Sequence, residues 1–343
     1  MSVLPAGLGF LSPAPLGVRL AGTGMAAPAT ILTNADLAKR VDTTDEWIAQ
    51  RTGIRQRHVV EAGESVRTLA CAALKQALHN AQLAPTDLDL VIHATLTPEM
   101  CCPSTAARIV SEIGASPAGA LDLSAACSGF VYGLNLAWSM IRSGACRTVA
   151  VVGAEALSTI VNWQDRGTCV LFGDGAGAAI LQASGSPDQG CLYQTLGSDG
   201  SGWAELYCPR DPNQLPAQGK GAPFTGTLNT LHMNGREVYK FAVATLHREI
   251  DQALRVLKLN PNDLTVIIPH QSNARIMESA RDRLGLPTDK LYINIDRYGN
   301  TSAASVPICL HELNAAGRLK AGDLVLFVGL GGGLTWATSL WRL

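Results

Sequence analysis

The sequence has little charge, and neither sign prevails. Charged residues make up 16% of the 343 residues, and 27 basic side chains face 28 acidic ones. There is no basic run, so nothing indicates the phosphate-driven affinity of a nucleic-acid-binding protein. Hydrophobic residues make up 47%, which excludes a disordered chain. The length predicts two domains or one large duplicated unit.

The sequence also lacks the cysteine spacing of a metal site. It has nine cysteines and no CxxC pair, and only Cys101 and Cys102 are adjacent. This pattern matches neither zinc nor iron–sulfur ligation, so we expect no bound metal. Reduced thiols favour a cytoplasmic protein. The first residues have three prolines and no basic segment, which predicts a loose extension over residues 1–16 rather than a secretory signal.

Uninterrupted hydrophobic runs of membrane-spanning length are missing too. The uncharged stretch from Leu324 to Trp341 is broken by three consecutive glycines, which predicts two buried strands around a turn and no membrane span. The stretch "GLGGGLTW" lacks the Lys-Ser/Thr of a phosphate loop, and "FGDGAGAAIL" lacks a helix after its glycines. We interpret both as tight turns between buried strands.

The chain repeats itself once. Leu83–Thr95 and Leu259–Gln271 align without gaps at an offset of 176 positions, the distance from Pro85 to Pro261. Each apolar strand is preceded by an amphipathic helix (68–82 and 245–258) and followed by another (104–114 and 274–285). Each copy then continues with a further short strand that ends in a small-residue turn (120–129 and 291–305), an apolar helix and a last strand.

This repeat predicts an α/β protein with two related halves and mostly parallel sheets. We expect an N-terminal half over residues 17–185 and a C-terminal half over 186–343. Strand-to-helix turns from both halves would then face one pocket.

Three polar residues lie at such turns. Cys127 precedes a predicted helix over 128–144, whose positive end favours a thiolate: ~2 kcal/mol would move the thiol pKa from ~8.5 to roughly 7. A buried structural cysteine fits the same pattern about equally well. His270 follows the strand Leu264–Ile268, and Asn300 lies in the second copy's turn. A lone histidine or a Gly-Asn turn is more often structural.

Six motifs together carry a family resemblance. They are "DEWIAQRTGIRQRH", "AACSGF", "FGDGAGAA", "PHQSNARI", "YGNTSAAS" and "GLGGGLTW", spread in order between about Gly17 and Leu343. The chain resembles the β-ketoacyl-acyl-carrier-protein synthases of type III. The resemblance implies a thiolase-like αβαβα fold, which agrees with the repeat, and a homodimer. It also implies a fatty-acid-initiating acyltransferase that condenses a short acyl-CoA primer with malonyl-acyl-carrier protein.

By this resemblance, Cys127 is the nucleophile that carries the acyl group as a thioester. The backbone N–H groups of Cys127 and Gly332 would form the oxyanion hole. His270 and Asn300 would donate hydrogen bonds to the enolate oxygen that decarboxylation creates. No cofactor is implied, because the CoA thioester is itself a substrate.

The resemblance also implies binding residues. Trp47 and Arg166 would sandwich the CoA adenine, Arg51 and Thr52 would hold the phosphates, and Gly235 and Asn273 would line the pantetheine tunnel. An acidic carrier protein would dock on basic residues at the tunnel mouth, namely Lys240, Arg275 and Arg283. Cys102 stands where many members have a bulky aromatic that closes the acyl pocket across the dimer interface. We therefore expect primers longer than acetyl, or branched ones.

Three other functions fit parts of the pattern. A specialised relative in a secondary pathway would pass the acyl group to an alcohol or amine, but such relatives often lack the His/Asn pair. A thioester hydrolase would have no need of Asn300. A binding or scaffold protein would have little reason to keep all three polar residues.

Overall fold

The computed structural model describes residues 17–211 and 227–343. The extension predicted over residues 1–16 lies outside the described residues. The strands are β1 (Gly17–Ala26), β2 (Ile31–Thr33), β3 (Gln56–His58), β4 (Leu90–Ala94), β5 (Gly119–Leu123), β6 (Thr148–Glu155), β7 (Gly175–Ser184), β8 (Gly190–Ser198), β9 (Leu206–Tyr207), β10 (His232–Met233), β11 (Val266–Pro269), β12 (Leu324–Gly331) and β13 (Thr335–Arg342). The helices are α1 (Asn34–Leu37), α2 (Asp45–Thr52), α3 (Val66–Ala81), α4 (Thr105–Ile113), α5 (Gly129–Arg142), α6 (Arg166–Cys169), α7 (Gly235–Leu257), α8 (Ala274–Leu284), α9 (Ile295–Tyr298) and α10 (Ser305–Ala315).

Two sheets repeat one pattern of strand pairing. The first has the order β1-β7-β6-β4-β5, and the second has the order β8-β13-β12-β11. Pair by pair, the directions agree: β1–β7 and β8–β13 are antiparallel, β7–β6 and β13–β12 are antiparallel, and β6–β4 and β12–β11 are parallel. Strands β4 and β11 begin at Leu90 and Val266, which are 176 positions apart. The repeat in the sequence is therefore a repeat in the fold.

The prediction of mostly parallel sheets is wrong, because both sheets are mixed. Strand β13 follows β12 after a turn of only three residues, 332–334, and so short a connection can join only antiparallel strands. In the first sheet, β7 likewise runs antiparallel to β6.

The second copy also lacks one predicted strand. Where the first copy has β5, the segment 291–305 forms a single parallel bridge between Leu291 and Ile267, and then the short helix α9. The Gln271 side chain meets backbone groups of this segment, since it donates to the carbonyl of Tyr292 at 3.1 Å and accepts from the N–H of Asn294 at 2.9 Å. These bonds take the place of a strand ladder.

The "GLGGGLTW" segment forms the predicted turn between two buried strands, but "FGDGAGAAIL" does not. Its glycines Gly175 and Gly177 lie inside β7, and the element before them is helix α6 rather than a strand. A Cβ on Gly177 would lie 2.7 Å from the backbone of Pro307. Glycine is required there because α10 packs directly on the strand.

The elements stack in five layers. Helices α5 and α10 lie between the two sheets, where Phe130 and Leu310 pack with Ile92 of the first sheet and Phe327 of the second. Helices α3 and α4 cover the outer face of the first sheet, and α7 and α8 cover that of the second. This αβαβα order brings the starts of α5 and α10 together at the centre.

Within the described ranges, no helix is both long and apolar enough to cross a membrane.

Candidate active site

Cys127 lies in a tight turn between β5 and α5. The turn is a single 3-10 turn, Ala126–Ser128, and Ala126 has a left-handed backbone with φ of 46°. Helix α5 follows at Gly129, so the thiol lies at a helix N-terminus, as predicted. The residue is only 6% exposed. Its packing against the second half is close, since a Cβ on Gly331 would lie 2.7 Å from the backbone nitrogen of Cys127.

The expected low pKa of this thiol is wrong for the free chain. Burial is the main cause that raises the pKa of Cys127 to about 12; a hydrogen bond with Ser302 lowers it, and the Glu155 carboxylate raises it. The helix dipole is worth at most about 2 kcal/mol, which is less than the cost of a buried thiolate. The free chain therefore holds Cys127 as a thiol at neutral pH.

Thr335 connects the turn at residues 332–334 with the turn that carries Cys127. Its hydroxyl lies 3.0 Å from the carbonyl oxygen of Ala125 and 3.1 Å from that of Gly332. The Ser128 hydroxyl lies 2.9 Å from the same Thr335 oxygen. Gly332 and Cys127, the two residues predicted for the oxyanion hole, are thereby linked across the two halves.

His270 is the residue directly after β11 and is 4% exposed. Its backbone N–H donates to the carbonyl of Val328 at 2.7 Å, which continues the hydrogen-bond ladder with β12. Burial lowers the pKa of the imidazole to about 3, so His270 is neutral at physiological pH. A neutral imidazole donates from one nitrogen and accepts at the other.

Ser305, at the start of α10, is the hydrogen-bond partner of one ring nitrogen of His270. Its hydroxyl lies 2.8 Å from Nδ1 of His270 and accepts a bond from the N–H of Gln271 at 3.3 Å. Since the serine already accepts from the backbone, its own proton is available for Nδ1. This arrangement favours the tautomer in which Nε2 carries the proton and acts as donor.

Asn300 is oriented in a similar way by Ser302. The Oδ1 of Asn300 accepts a hydrogen bond from the backbone N–H of Ser302 at 2.9 Å. The backbone N–H of Asn300 donates to the carbonyl of Leu171 at 2.8 Å. Because the amide oxygen is engaged, the NH₂ group is the part of the side chain that is available as a donor. Asn300 is 6% exposed.

The three polar residues line one cavity. Cys127, His270 and Asn300 border a cavity of about 100 Å³, together with Gly235 and Asn273. Cys127 also borders a second cavity of about 850 Å³, whose lining includes Gly332, Leu121, Cys101 and Arg210. We call these the small cavity and the large cavity. The fold thus brings the predicted residues of both halves to one point, with space on two sides of the sulfur.

The residues predicted for the nucleotide lie at one edge of the site. The guanidinium carbon of Arg166 is 4.9 Å from the ring centre of Trp47, and that of Arg51 is 5.7 Å from it. Arg166 also donates to the backbone carbonyl of Asp42 at 2.8 Å. At this distance the Arg166 guanidinium itself lies over the Trp47 ring, whereas an adenine between the two would need about 7 Å, or two stacking contacts of about 3.5 Å each. The adenine sandwich therefore stays a prediction, and it requires the Arg166 side chain to move away from the ring.

Thr52 does not support its predicted role. Its side chain is 4% exposed, and its hydroxyl donates to the carbonyl of Ile48 at 2.6 Å and accepts from the N–H of Ile54 at 3.0 Å. These bonds stabilise the end of α2, so the hydroxyl is not available to a phosphate.

Asn273 connects the nucleotide edge to the small cavity. Its Nδ2 donates to the carbonyl of Arg51 at 3.0 Å, and its Oδ1 caps α8 by accepting from the N–H of Arg275 at 2.9 Å. Gly235 is the first residue of α7.

The predicted docking residues share one outer layer. Lys240 is exposed on α7, and Arg275 and Arg283 are exposed on α8, which packs against α7. Lys240 pairs with Glu237 at 2.6 Å on its own helix. Arg236, beside Gly235, is exposed as well and adds a cation that the sequence analysis did not single out.

Of the adjacent cysteines, Cys101 rather than Cys102 borders the large cavity of its own chain. Cys102 is exposed. The prediction for Cys102 concerns the partner's pocket across a dimer interface, so it stays a prediction.

Four residues of the site gave no separate signal in the sequence: Glu155, Ser302, Ser305 and Thr335. Each has at least one bonding partner distant in sequence, and Ser and Thr are ordinary residues in small-residue turns. Glu155 ends the apolar strand "TVAVVGAE", and a carboxylate at the end of a buried strand was the available indication. In the described part of the chain, no group of three or more His, Cys, Asp or Glu side chains is arranged to hold a metal ion.

Comparison with known proteins identifies a family that this chain resembles. Two family models match: 3-oxoacyl-[acyl-carrier-protein (ACP)] synthase III over residues 121–200, and the C-terminal model of the same family over 254–343. A beta-ketoacyl-[acyl-carrier-protein] synthase III of Caldanaerobacter subterraneus subsp. tengcongensis is 49% identical, over 93% of this chain and 96% of the relative.

Solved structures are similar over nearly the whole chain. A crystal structure of 3-oxoacyl-[acyl-carrier-protein] synthase III from Aquifex aeolicus has a TM-score of 0.87 and 42% identity, covering 95% of this chain and 100% of the other. The priming beta-ketosynthase of the R1128 polyketide biosynthetic pathway also has a TM-score of 0.87, with 35% identity, over 97% of this chain and 98% of the other.

Proposed function

Since the chain belongs to the 3-oxoacyl-[acyl-carrier-protein] synthase III family, we propose that it condenses an acyl-CoA primer with malonyl-acyl-carrier protein through an acyl-Cys127 intermediate. The chain is a condensing acyltransferase of the thiolase-like fold. One observation carries the proposal in detail: Cys127 from one half and His270 and Asn300 from the other border the same small cavity.

In the first half-reaction, Cys127 attacks the thioester carbonyl of the primer. The C–S bond to CoA breaks, and the acyl group stays on the enzyme. The oxyanion that forms on the way needs fixed donors, and the backbone N–H groups of Cys127 and Gly332 are our candidates. Thr335 supports this pair, because it bonds to both turns. One such donor is typically worth about 3–4 kcal/mol.

In the second half-reaction, malonyl-acyl-carrier protein loses carbon dioxide. The electrons left behind form an enolate, whose thioester oxygen carries negative charge. A neutral His270 that donates from Nε2 and an Asn300 that donates from its amide both stabilise that charge. The enolate carbon then attacks the acyl carbonyl on Cys127, and the 3-ketoacyl product leaves with the carrier. This chemistry uses the substrates together with side chains and backbone N–H groups of the protein.

Both thioesters would enter along the pantetheine arm, past Gly235 and Asn273. Trp47, Arg51 and Arg166 would hold the CoA nucleotide by stacking and charge. The exposed cations of α7 and α8 would attract an acidic carrier protein.

The large cavity would receive the primer chain. It lies beside Cys127, has a volume of about 850 Å³ and is bordered by apolar side chains that include Leu157, Ile160 and Leu231. This space supports primers longer than acetyl. If a partner subunit filled part of the large cavity, it would limit the length of the primer's acyl chain.

We also propose a homodimer and a cytoplasmic location. Strand β5 is at the edge of the first sheet, and Leu121 on it is 38% exposed, so a second copy could extend the sheet. All nine cysteines are unpaired, as is usual in a reducing compartment.

The proposal is tested by incubating the protein with acyl-CoAs of increasing length, recording the intact mass and mapping the modified peptide. We expect a thioester on Cys127, transfer to malonyl-acyl-carrier protein as a ketoacyl product, and no acylation of Cys127→Ala. Release of free acid instead of ketoacyl product would indicate a hydrolase. Absence of acylation at every chain length would contradict the proposed nucleophile.

A further inference from the structure

Glu155 is a buried carboxyl group to which the proposed reaction assigns no role. It ends β6 and is 0% exposed. Its oxygens accept bonds from the hydroxyls of Thr95 at 3.1 Å and Thr97 at 2.8 Å, and from the N–H of Leu96 at 3.2 Å. Ser302 donates to Oε1 at 3.1 Å. A carboxyl with four donors is suited to carry charge, although burial opposes it.

Ser302 links this carboxyl to the nucleophile. Its hydroxyl donates to Glu155 at 3.1 Å, and both Ser302 and Cys127 border the large cavity. A hydrogen bond from Ser302 also lowers the pKa of the Cys127 thiol. A hydroxyl has one proton to give. While that proton points to the carboxylate, the serine oxygen can accept the S–H of Cys127, which completes a chain of two hydrogen bonds from sulfur to carboxylate.

Glu155 is a better proton acceptor than the other base at the cavity. Burial raises the pKa of Glu155 to about 7, whereas it lowers the pKa of His270 to about 3. Ionisable groups on the elements around β6 bond elsewhere: His93 with Asp122, Asp174 with Ser158 and Val60, Arg67 with Glu99, His311 with Thr23, and Glu312 with Arg297. The Cys127 proton therefore has a short path to one suitable carboxylate.

We propose that Glu155 receives the Cys127 proton through the hydroxyl of Ser302 during acylation, and returns it by the same path after condensation. This inference rests on the proposed function, because it concerns the same nucleophile. Glu155 does not contact the substrate and acts only through Ser302.

The proton balance closes over the two half-reactions. In acylation, the S–H bond of Cys127 breaks as its proton bonds to Ser302, while the serine's original proton moves to Glu155. The sulfur's electron pair forms the new C–S bond, and CoA leaves as a thiolate that takes a proton from solvent. In condensation, the Cys127 thiolate is the leaving group, and Glu155 returns its proton to that sulfur through Ser302.

This order also suits the decarboxylation step. While Cys127 carries the acyl group, Glu155 is protonated and neutral. The enolate then forms near a neutral carboxyl rather than beside a second negative charge, whose repulsion would raise its energy.

The test is the rate of a single acylation of Cys127 by acetyl-CoA, followed by rapid quenching and intact mass from about pH 5.5 to about pH 9. In the wild type we expect the rate to rise with pH through about 7 and then level off. Glu155→Gln should be about a hundredfold slower at pH 7 and lack this rise. Ser302→Ala should lose the same rise, and the double variant should be no slower than the slower single one.

Glu249→Gln is the matched control. Glu249 is also a buried carboxylate, 2% exposed, that accepts from two threonine hydroxyls, those of Thr195 and Thr338, each at 2.8 Å. It lies outside the site, so its variant should keep the wild-type profile. Thr97→Val retains both members of the path but removes a donor to the carboxylate, so it should move the rise to higher pH by about 0.5–1 unit.

The outcomes separate the two ideas. If wild type is never acylated on Cys127, the proposed function and the proton path both fail. If wild type is acylated but Glu155→Gln has the same rate and pH profile, the proton path alone is wrong. If Glu155→Gln does not fold, Thr97→Val decides. A pH profile of acylation in Thr97→Val that equals that of the wild type overturns the proton path, and the expected shift to higher pH supports it.

Discussion

His270 and Asn300 take their chemical roles from serines that follow them in the second half. Ser305 bonds Nδ1 of His270, and the N–H of Ser302 bonds Oδ1 of Asn300. In each case the group left to act is a neutral donor. This is the opposite of a protease-like triad, in which a carboxylate stabilises an imidazolium. Two neutral donors suit an enolate oxygen better than they suit proton abstraction.

This assignment predicts that the two half-reactions can be separated. His270→Ala and Asn300→Ala should each lower decarboxylation of malonyl-acyl-carrier protein by about a hundredfold or more, because each removes a donor worth about 3 kcal/mol. Cys127 should still become acylated in both variants. Carbon dioxide release and intact mass measure the two steps, and normal condensation by both variants would show that the roles are wrongly assigned.

Helix α10 positions much of the site through its packing on β7. A Cβ on Gly177 would lie 2.7 Å from Pro307 and 2.8 Å from the backbone nitrogen of Ile308. These are backbone neighbours, so neither can move without moving the helix. Ser305 begins the same helix, which couples the packing to the orientation of His270.

We therefore expect Gly177→Ala to lower the free energy of unfolding by about 1–3 kcal/mol and to slow condensation as well. Gly185→Ala is the matched control, because a Cβ there meets nothing within 4 Å and should change stability by no more than about 0.5 kcal/mol. Urea unfolding measures both. Equal stabilities of the two variants would mean that α10 can shift away from β7 at little cost.

Stability of the whole chain should depend on pH through Glu155. Its pKa is about 7 in the folded chain against an ordinary value of 4.5 for glutamate, so between these values the folded state binds more protons than the unfolded state. The contribution of Glu155 is therefore fully present below about pH 4.5, falls as pH rises, and is lost above about 7.

From about pH 5 to about pH 8 this contribution should fall by about 2–3 kcal/mol. The measurement is urea unfolding of the wild type and of Glu155→Gln at both pH values. Since Gln does not titrate, the difference between the two chains should change by that amount in favour of the variant at the higher pH. A difference that stays constant with pH would place the Glu155 pKa near its ordinary value.

The sequence by itself determined the repeat, the order of elements in the first half and the three polar residues at the turns. These are local properties: hydrophobic periodicity, the small residues of the turns and the 176-position offset all lie within short segments. The nucleophile turn could be predicted because a strand, small residues and an apolar helix follow one another directly in "LDLSAACSGFVYG".

Only the tertiary structure decided the electrostatics and the sheet directions. The pKa of Cys127 depends on burial, Ser302 and Glu155, which come together from segments up to 175 positions apart when the two halves pack. The sequence predicts that Thr52 binds a phosphate, but its hydroxyl donates to the carbonyl of Ile48 at the end of α2. The missing strand at Leu291 reflects side-chain bonds from Gln271. Periodicity reports which face of a segment is buried, whereas these outcomes depend on which distant groups share that buried space.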